Sequence, residues 1–256
     1  QRGDDEEQEK LLHVVAEEHA SRLPVRLPCQ SAPAPYAGRK GVLMAESDAI
    51  RRYALEATVE PETIERARAR AVELGADPIS PAVGAQIAVV TAATSALNIV
   101  EIGTGAGVSG LWLMHGSPRA TLTTIDNEPE HLAAARTAFA DAKIAPARAR
   151  FITGRAADVL PRMNEASYDI VLVDADPEGV IEYVEHGLRL VRAGGTVLVP
   201  RVLAGGAVAD PVRRDPLTSA YRSLIQETQN SPAVLGALSI VGEGLLQLTT
   251  VAADAR

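Results

Sequence analysis

The sequence predicts an α/β fold: a doubly wound, mostly parallel sheet of seven strands, with helices at the N-terminal end and a C-terminal antiparallel hairpin. Three observations predict it. An apolar, β-branched run (Ile99, Val100, Ile102) breaks at Gly103, passes through Gly105 and Gly107, and enters a helical pattern at 108–114. A buried strand, a glycine turn and a helix N-terminus together form a nucleotide-type binding site. Strand-like and helix-like segments then alternate, as they do when parallel strands are joined by crossover helices. Finally, Glu101, Asp126, Gly154 and Asp174 all fall at strand C-termini, where ligands of such sheets bind.

Residues 1–43 read differently from the rest. The first ten are nearly all charged or polar, and Pro24, Pro28, Pro33 and Pro35 interrupt any regular pattern. Met44 is the first methionine. The expected division is an N-terminal extension or linker at 1–43, with little regular structure, and one domain at 44–256. From 47 to 73 apolar residues recur at helical spacing (Ile50, Tyr53, Ala54, Ala57 and, after Pro61, Ile64, Ala67, Ala71), and Gly75 ends the pattern. A rigid connector at 77–81 leads into a helix of small residues at 82–96.

Beyond the glycine turn, the second strand is expected at 120–125 and ends at Asp126. Glu128-Pro129-Glu130 opens a helix that runs to 142, with proline in its first turn and acids favoured by the helix dipole. The third strand is expected at 148–153, followed by Gly154-Arg155-Ala156 and a short helix to 160. The fourth spans 168–173 and ends at Asp174-Ala175-Asp176-Pro177. A helix over 180–191 is expected to be capped by Ala193-Gly194-Gly195, and the fifth strand spans 196–199. A helix at 217–229 precedes the hairpin, whose strands at 234–240 and 245–251 meet around Gly242-Glu243-Gly244.

Composition narrows the function. With 46% hydrophobic and only 3% aromatic residues, the core must be built of Ala, Val, Leu and Ile. A net charge of −8 and the absence of a Lys/Arg-dense face argue against nucleic acid as a partner. A single cysteine, Cys29, excludes an internal disulfide and a cysteine-built zinc site. No apolar stretch is long enough to span a bilayer, and the N-terminus is acidic rather than signal-like, so a cytoplasmic location is the default.

The glycine turn admits two ligands. Gly105 to Gly110 satisfies G-x-G-x-x-G, and Asp126 lies about twenty residues on, which suits a dinucleotide. However, the turn already begins at Gly103, and Glu101 sets a carboxylate where a pyrophosphate would approach. An anion is poorly served there. A ligand carrying an ammonium and a sulfonium is well served, which favours S-adenosylmethionine (SAM) over NAD.

The motifs Glu101-x-Gly-Thr-Gly-x-Gly-Val-Ser109, Thr124-Ile-Asp126-x-Glu-Pro-Glu130-His131, Gly154-Arg155-Ala156 and Asp169-Ile-Val-Leu-Val-Asp174-Ala-Asp176 resemble class I O-methyltransferases of the catechol/caffeoyl-CoA type. They are most similar to the mycobacterial and actinobacterial O-methyltransferases of that group. The resemblance covers residue 44 to the C-terminus and implies a Rossmann-like fold. It also implies that Glu101, Gly103, Thr104 and Gly105 hold the methionyl part of SAM, and that Ser109 bonds its carboxylate. Asp126, with Asn127 beside it, would take the ribose hydroxyls, and Arg155 and Ala156 the adenine. The segment 80–86, Val83 included, either only caps its helix or also faces the methionine end; the two readings are compatible. Members of the group often dimerise, and the apolar face of 44–74 could cover a second copy.

The resemblance departs from the family at the catalytic end. Metal-dependent members carry an aspartate at the fourth strand's end, which Asp174 matches, and an Asp-Asn pair after the fifth strand, where this chain has Pro200-Arg201. A hard divalent cation needs several oxygen ligands. No metal site is therefore expected, with Asp174 the sole candidate ligand if one binds. The family's lysine after Asp-x-Asp is Pro177 here. Asp174 and Arg201 remain the catalytic candidates, Asp174 otherwise simply holding SAM or a nearby loop, and Arg201 as a cation in the metal's stead or as a mere surface charge. His115 and His131 read as surface residues. The expected function is SAM-dependent methylation of a hydroxyl on a small molecule; the alternatives are a SAM-binding protein with little activity or, more remotely, an NAD-dependent oxidoreductase. The acceptor's pocket is expected between the 44–81 segment and the 202–216 loop.

Overall fold

The central strand β1 (Asn98–Ile102) is buried along all but its first residue. The computed structural model describes residues 49–50 and 52–251, so the expected extension at 1–43 lies outside the described residues. β1 pairs in parallel with β2 (Thr121–Asp126) on one side and with β4 (Tyr168–Val173) on the other. Parallel pairing continues outward from β2 to β3 (Ala149–Thr153) and from β4 to β5 (Val191–Pro200). β7 (Leu245–Thr250) lies antiparallel against β5, and β6 (Val234–Ser239) antiparallel against β7. The order is β3-β2-β1-β4-β5-β7-β6, with β7 alone running against the other six. The chain winds outward through β2 and β3, returns to β4, and winds the other way. A cleft must therefore open where β1 and β4 separate at their carboxyl ends.

Alternation along the strands builds a core on each face. Ile99, Ile170, Leu172 and Leu198 face α1 (Glu62–Glu73), α2 (Pro81–Ala93), α3 (Val108–Gly116) and α4 (Pro129–Asp141). Val100, Ile102, Val171, Val173 and Val197 face α5 (Ala156–Val159), α6 (Val180–Leu190) and α7 (Pro216–Asn230). A period of two places Glu101 on the α1–α4 face, among apolar side chains.

The helix boundaries follow capping chemistry. The Ser80 hydroxyl accepts from the Val83 amide at 3.4 Å ahead of Pro81, and Asp215 accepts from the Thr218 amide at 3.0 Å ahead of Pro216. Gly84 leaves the slot in which α2 and α3 cross: a Cβ there would stand 2.2 Å from Trp112 Nε1. That indole donates to Glu60 Oε1 at 3.2 Å, and Arg68 grips the same carboxylate at 2.7 and 2.8 Å, which ties the segment before α1 to α3.

Two expectations change. The helical stretch 47–73 is two pieces, one at 52–56 and the other α1, because Pro61 stands outside the second as its N-cap with an extended ψ of 138°. Ala193-Gly194-Gly195 does not cap a helix. α6 ends at Leu190, and the glycines lie inside β5, where the register with β4 shifts between Tyr168 and Ile170. Gly195 permits that irregularity, since a Cβ would meet Val191 Cβ at 2.8 Å.

Candidate active site

A cavity of about 360 Å³ opens at the carboxyl ends of β1, β2 and β4. Of the expected residues, Gly103, Thr104, Gly105, Ser109, Asp126, Asn127, Arg155, Ala156 and Asp174 line it, and Glu101 and Val83 do not. Four successive strand-to-helix junctions, after β1, β2, β3 and β4, therefore deliver residues scattered over the sequence to one wall. Tyr183 near the start of α6 and His131 on α4 also line it and were not expected there, whereas Asp77 and Pro78 come from the 44–81 segment expected to border the acceptor's pocket. His131 is not a plain surface residue, because its Nδ1 stands 3.6 Å from Asp126 Oδ1. Its offset of five from Asp126 across a helix start was the available signal. His115 is exposed and stacks edge-on against Trp112.

The glycine turn is drawn onto Asp126. Gly103, Gly105 and Gly107 take positive φ values of 92°, 49° and 91°, so only residues without Cβ trace this path without strain. The turn's amides point at the next strand's end: Thr104 and Gly105 donate to Asp126 Oδ2 at 3.0 and 2.9 Å. Oδ1 accepts from the Glu128 amide at 2.9 Å, which fixes the start of α4 as well. A Cβ on Gly105 would meet nothing within 4 Å, so this part of the turn is open for a ligand to approach.

Glu101 sits behind the turn rather than in the cavity. It is fully buried, its Oε2 accepts from the Thr124 hydroxyl at 2.6 Å, and Thr124 contacts the Thr104 hydroxyl at 2.6 Å. Its Oε1 has no hydrogen-bond partner among the described residues. Burial pushes its pKa up to about 8 against the opposing pull of the Ser109 and Thr124 hydroxyls, and the charges of Asp174 and Asp126 push the same way as burial. Burial thus favours its protonated, neutral form. The alternation that puts it there was legible; its distance from the ligand space was not.

Asp174 and Arg201 are brought together. The Arg201 guanidinium donates through Nη1 to Asp174 Oδ1 and through Nη2 to the backbone oxygen of Asp77. Burial still outweighs this cation, so the Asp174 pKa is raised to about 6, with Asp77 adding to the rise. A second cavity of about 180 Å³ lies beside the first, lined by Asp77 to Ser80, Val83, Pro200, Arg201, Gly242 and Glu243. Val83 thus faces this neighbour, and the 202–216 loop contributes to neither cavity. A divalent metal does not fit the residues present. The one matching carboxylate is engaged by a guanidinium, Pro200 offers no side-chain donor, and no group of three His, Cys, Asp or Glu gathers to ligate a metal among the described residues.

Comparison with known proteins agrees with this geometry. A family model described as O-methyltransferase matches residues 57–249. A protein of Mycobacteroides abscessus, named as an O-methyltransferase, is 42% identical over 203 residues, which is 79% of this chain and 94% of that one. Among solved structures, a protein from Corynebacterium glutamicum superposes with a TM-score of 0.75 at 27% identity, over 82% of this chain and 100% of the other. The O-methyltransferase TomG of Streptomyces achromogenes, involved in tomaymycin synthesis and solved in complex with SAM, gives 0.70 at 27% identity, over 80% and 96%.

Proposed function

The chain belongs to the O-methyltransferase family, and on that premise we propose that it transfers the methyl group of SAM to a hydroxyl of a small molecule without a divalent metal. The observation that carries the reading is the cavity of about 360 Å³ in which the glycine turn, Asp126 and Asp174 share one wall. Its volume and its place at the sheet's switch point suit a nucleoside-sized ligand. Asp126 and Asn127 would take the ribose hydroxyls, Arg155 and the Ala156 amide the adenine, and Thr104, Gly105 and Ser109 the methionyl end. Glu101 supports the turn from behind, through Thr124 and Thr104.

When bound, SAM supplies a methyl group already activated as a sulfonium, so displacement needs alignment and exclusion of water more than acid–base chemistry. The apolar cavity residues Ala71, Ala76, Ile102, Val108 and Ile125 favour that exclusion. The net charge of −8 supports a small-molecule acceptor over nucleic acid, and the acidic, cysteine-poor sequence supports a cytoplasmic location. No described helix is long and apolar enough to cross a membrane. Exposed Val89, Leu235 and Ile240 support a homodimer.

Calorimetric titration with S-adenosylhomocysteine (SAH), once in EDTA and once in excess magnesium, tests the reading. Micromolar binding indifferent to magnesium is expected. Absence of binding would remove the methyltransferase reading, and heat from magnesium alone that is lost in Asp174→Asn would restore a metal.

A further inference from the structure

We propose that the Arg201 guanidinium is the cation of the methyl-transfer site, and that it receives the acceptor's reacting oxygen as an oxyanion. The inference rests on the reading that the larger cavity holds SAM. Three observations carry it.

The first is position. Arg201 directly follows β5, beside the end of β4, and from the smaller cavity its guanidinium reaches two residues that line the larger one. Asp174 and Asp77, which it contacts, line the larger cavity, while Arg201 lines the smaller one together with Ser80, Val83 and Glu243. An acceptor held in the smaller cavity would meet the cofactor's reactive end beside this guanidinium.

The second is backbone conformation. Arg201 has φ of 62°, in the left-handed region where a side chain is strained and where asparagine is tolerated best. Ser95, Lys143, Ala166 and Ala204 share this conformation, so what distinguishes Arg201 is the direction in which it sends the side chain. Here it aims the side chain back across the strand ends onto Asp174, where the ion pair holds it with only 26% of the arginine side chain exposed.

The third is the balance of donors and charges. A guanidinium carries five N–H groups. One is given to Asp174 and one to the Asp77 carbonyl, and Nε stands 3.8 Å from Asp77 Oδ2. One hydrogen on each terminal nitrogen has no hydrogen-bond partner among the described residues. Arg201 and Asp174 cancel in charge, while Asp77 and Glu243 are exposed and screened by water. With the sulfonium present, the site holds one positive charge in excess, and an oxyanion neutralises it. A water-poor site strongly favours that balanced set.

The acceptor class follows: a molecule with an acidic hydroxyl, such as a phenol or enol. Its O–H proton passes to solvent water as it docks. The oxygen lone pair then forms the O–CH3 bond while the S–CH3 bond breaks and its electron pair stays on sulfur, leaving a neutral ether and a neutral thioether. No protein base is required, which agrees with Pro177 standing where the family's lysine belongs.

The test uses the full chain loaded in EDTA with sinefungin, a SAM analogue whose ammonium group stands in place of the methylsulfonium, with 4-nitrocatechol as a probe whose phenolate is coloured. The bound probe is expected to ionise about one pH unit or more below the free probe, since a fixed cation within a few ångströms shifts a titration by that amount. Arg201→Ala should abolish the shift with sinefungin affinity unchanged within about threefold, Arg201→Lys should keep part of it, and added guanidinium chloride at millimolar level should restore part of it to the alanine variant. Three results would overturn the proposal: a probe that does not bind or binds as the neutral phenol, a shift that survives Arg201→Ala, or a shift that needs magnesium. Failure of sinefungin itself to bind would instead overturn the cofactor reading.

Discussion

The Thr104 amide donates to the Asp126 carboxylate at 3.0 Å, and the Gly105 amide joins it at 2.9 Å. One side chain thus shapes the turn and presents a charge to the cavity. Two hydrogen bonds to a charged acceptor are worth several kcal/mol together, and the proposed ribose partner is lost with them. Asp126→Ala should therefore weaken SAH binding by about 3 kcal/mol, roughly a hundredfold. Asp126→Asn, which keeps one acceptor oxygen, should fall between. Calorimetry decides, and unchanged affinity in the alanine variant would take the ribose role away from Asp126.

Neighbouring glycines of the same turn should fail in different ways. A Cβ on Gly103 would stand 2.0 Å from the Asp174 carbonyl oxygen, whereas one on Gly105 would touch nothing within 4 Å. Gly103→Ala must displace β1 from β4 and should destabilise the fold by about 3 kcal/mol. Gly105→Ala bears only the strain of its positive φ, about 1 kcal/mol, but its methyl enters the ligand space. Urea denaturation should find the second variant nearly as stable as the parent while SAH titration finds it impaired. Equal stability losses in both would contradict this account of the turn.

Much of this was legible in the sequence because it depends on local pattern. The run Ile99–Ile102, the spacing of Gly103, Gly105 and Gly107, and acids at strand ends locate the cavity without coordinates. Side-chain direction within a crowded layer was harder. Glu101 was expected to face the ligand, but its contacts with Thr124 and the room left by Gly110, where a Cβ would come within 3.0 Å of Glu101 Oε2, are set by tertiary packing. The same holds for Tyr183, whose position depends on how α6 leaves β4, and for the 202–216 loop. Arg222 pins that loop away from both cavities through its bonds to the carbonyls of Ala207, Val208, Asp210 and Arg213. No motif encodes an arginine that gathers four carbonyls across a loop.

Asp169 at the start of β4 should matter for stability rather than for binding. Its Oδ2 accepts from the Leu97 and Asn98 amides at 2.7 and 2.8 Å, and its Oδ1 from Arg192 Nε at 2.6 Å, so it joins the approach to β1 with β4 and β5. Burial pushes its pKa up, but the two amides and the guanidinium together outweigh burial and hold it below the usual carboxylate value. A depressed folded pKa means that this stability is present above the unfolded pKa and is lost as pH falls through the folded one. Asp169→Ala should cost about 2–3 kcal/mol near neutral pH, with two amides left unpaired. The difference from the parent should shrink below about pH 4. A difference that persists at pH 2 would mean that the carboxylate's charge contributes little.

Glu101 should show the opposite dependence. Burial raises its pKa to about 8, above the ordinary carboxylate value of 4.5, and the nearby charges of Asp174 and Asp126 add to the rise that the Ser109 and Thr124 hydroxyls oppose. Between those two values the folded chain holds one more proton than the unfolded chain. Stability from this group is therefore full below the unfolded pKa and falls by ~1.4 kcal/mol per pH unit until the folded pKa is passed. Glu101→Gln keeps an oxygen for Thr124 and cannot ionise, so it removes this decline. Denaturation at pH 5.5, 7 and 8.5 should show the variant gaining on the parent at each step. Parallel curves would mean that Glu101 is already ionised in the folded protein. Its Oε1, which has no partner among the described residues, would then need a compensating group such as a buried water, and the turn would rest on a charge instead of a neutral acid.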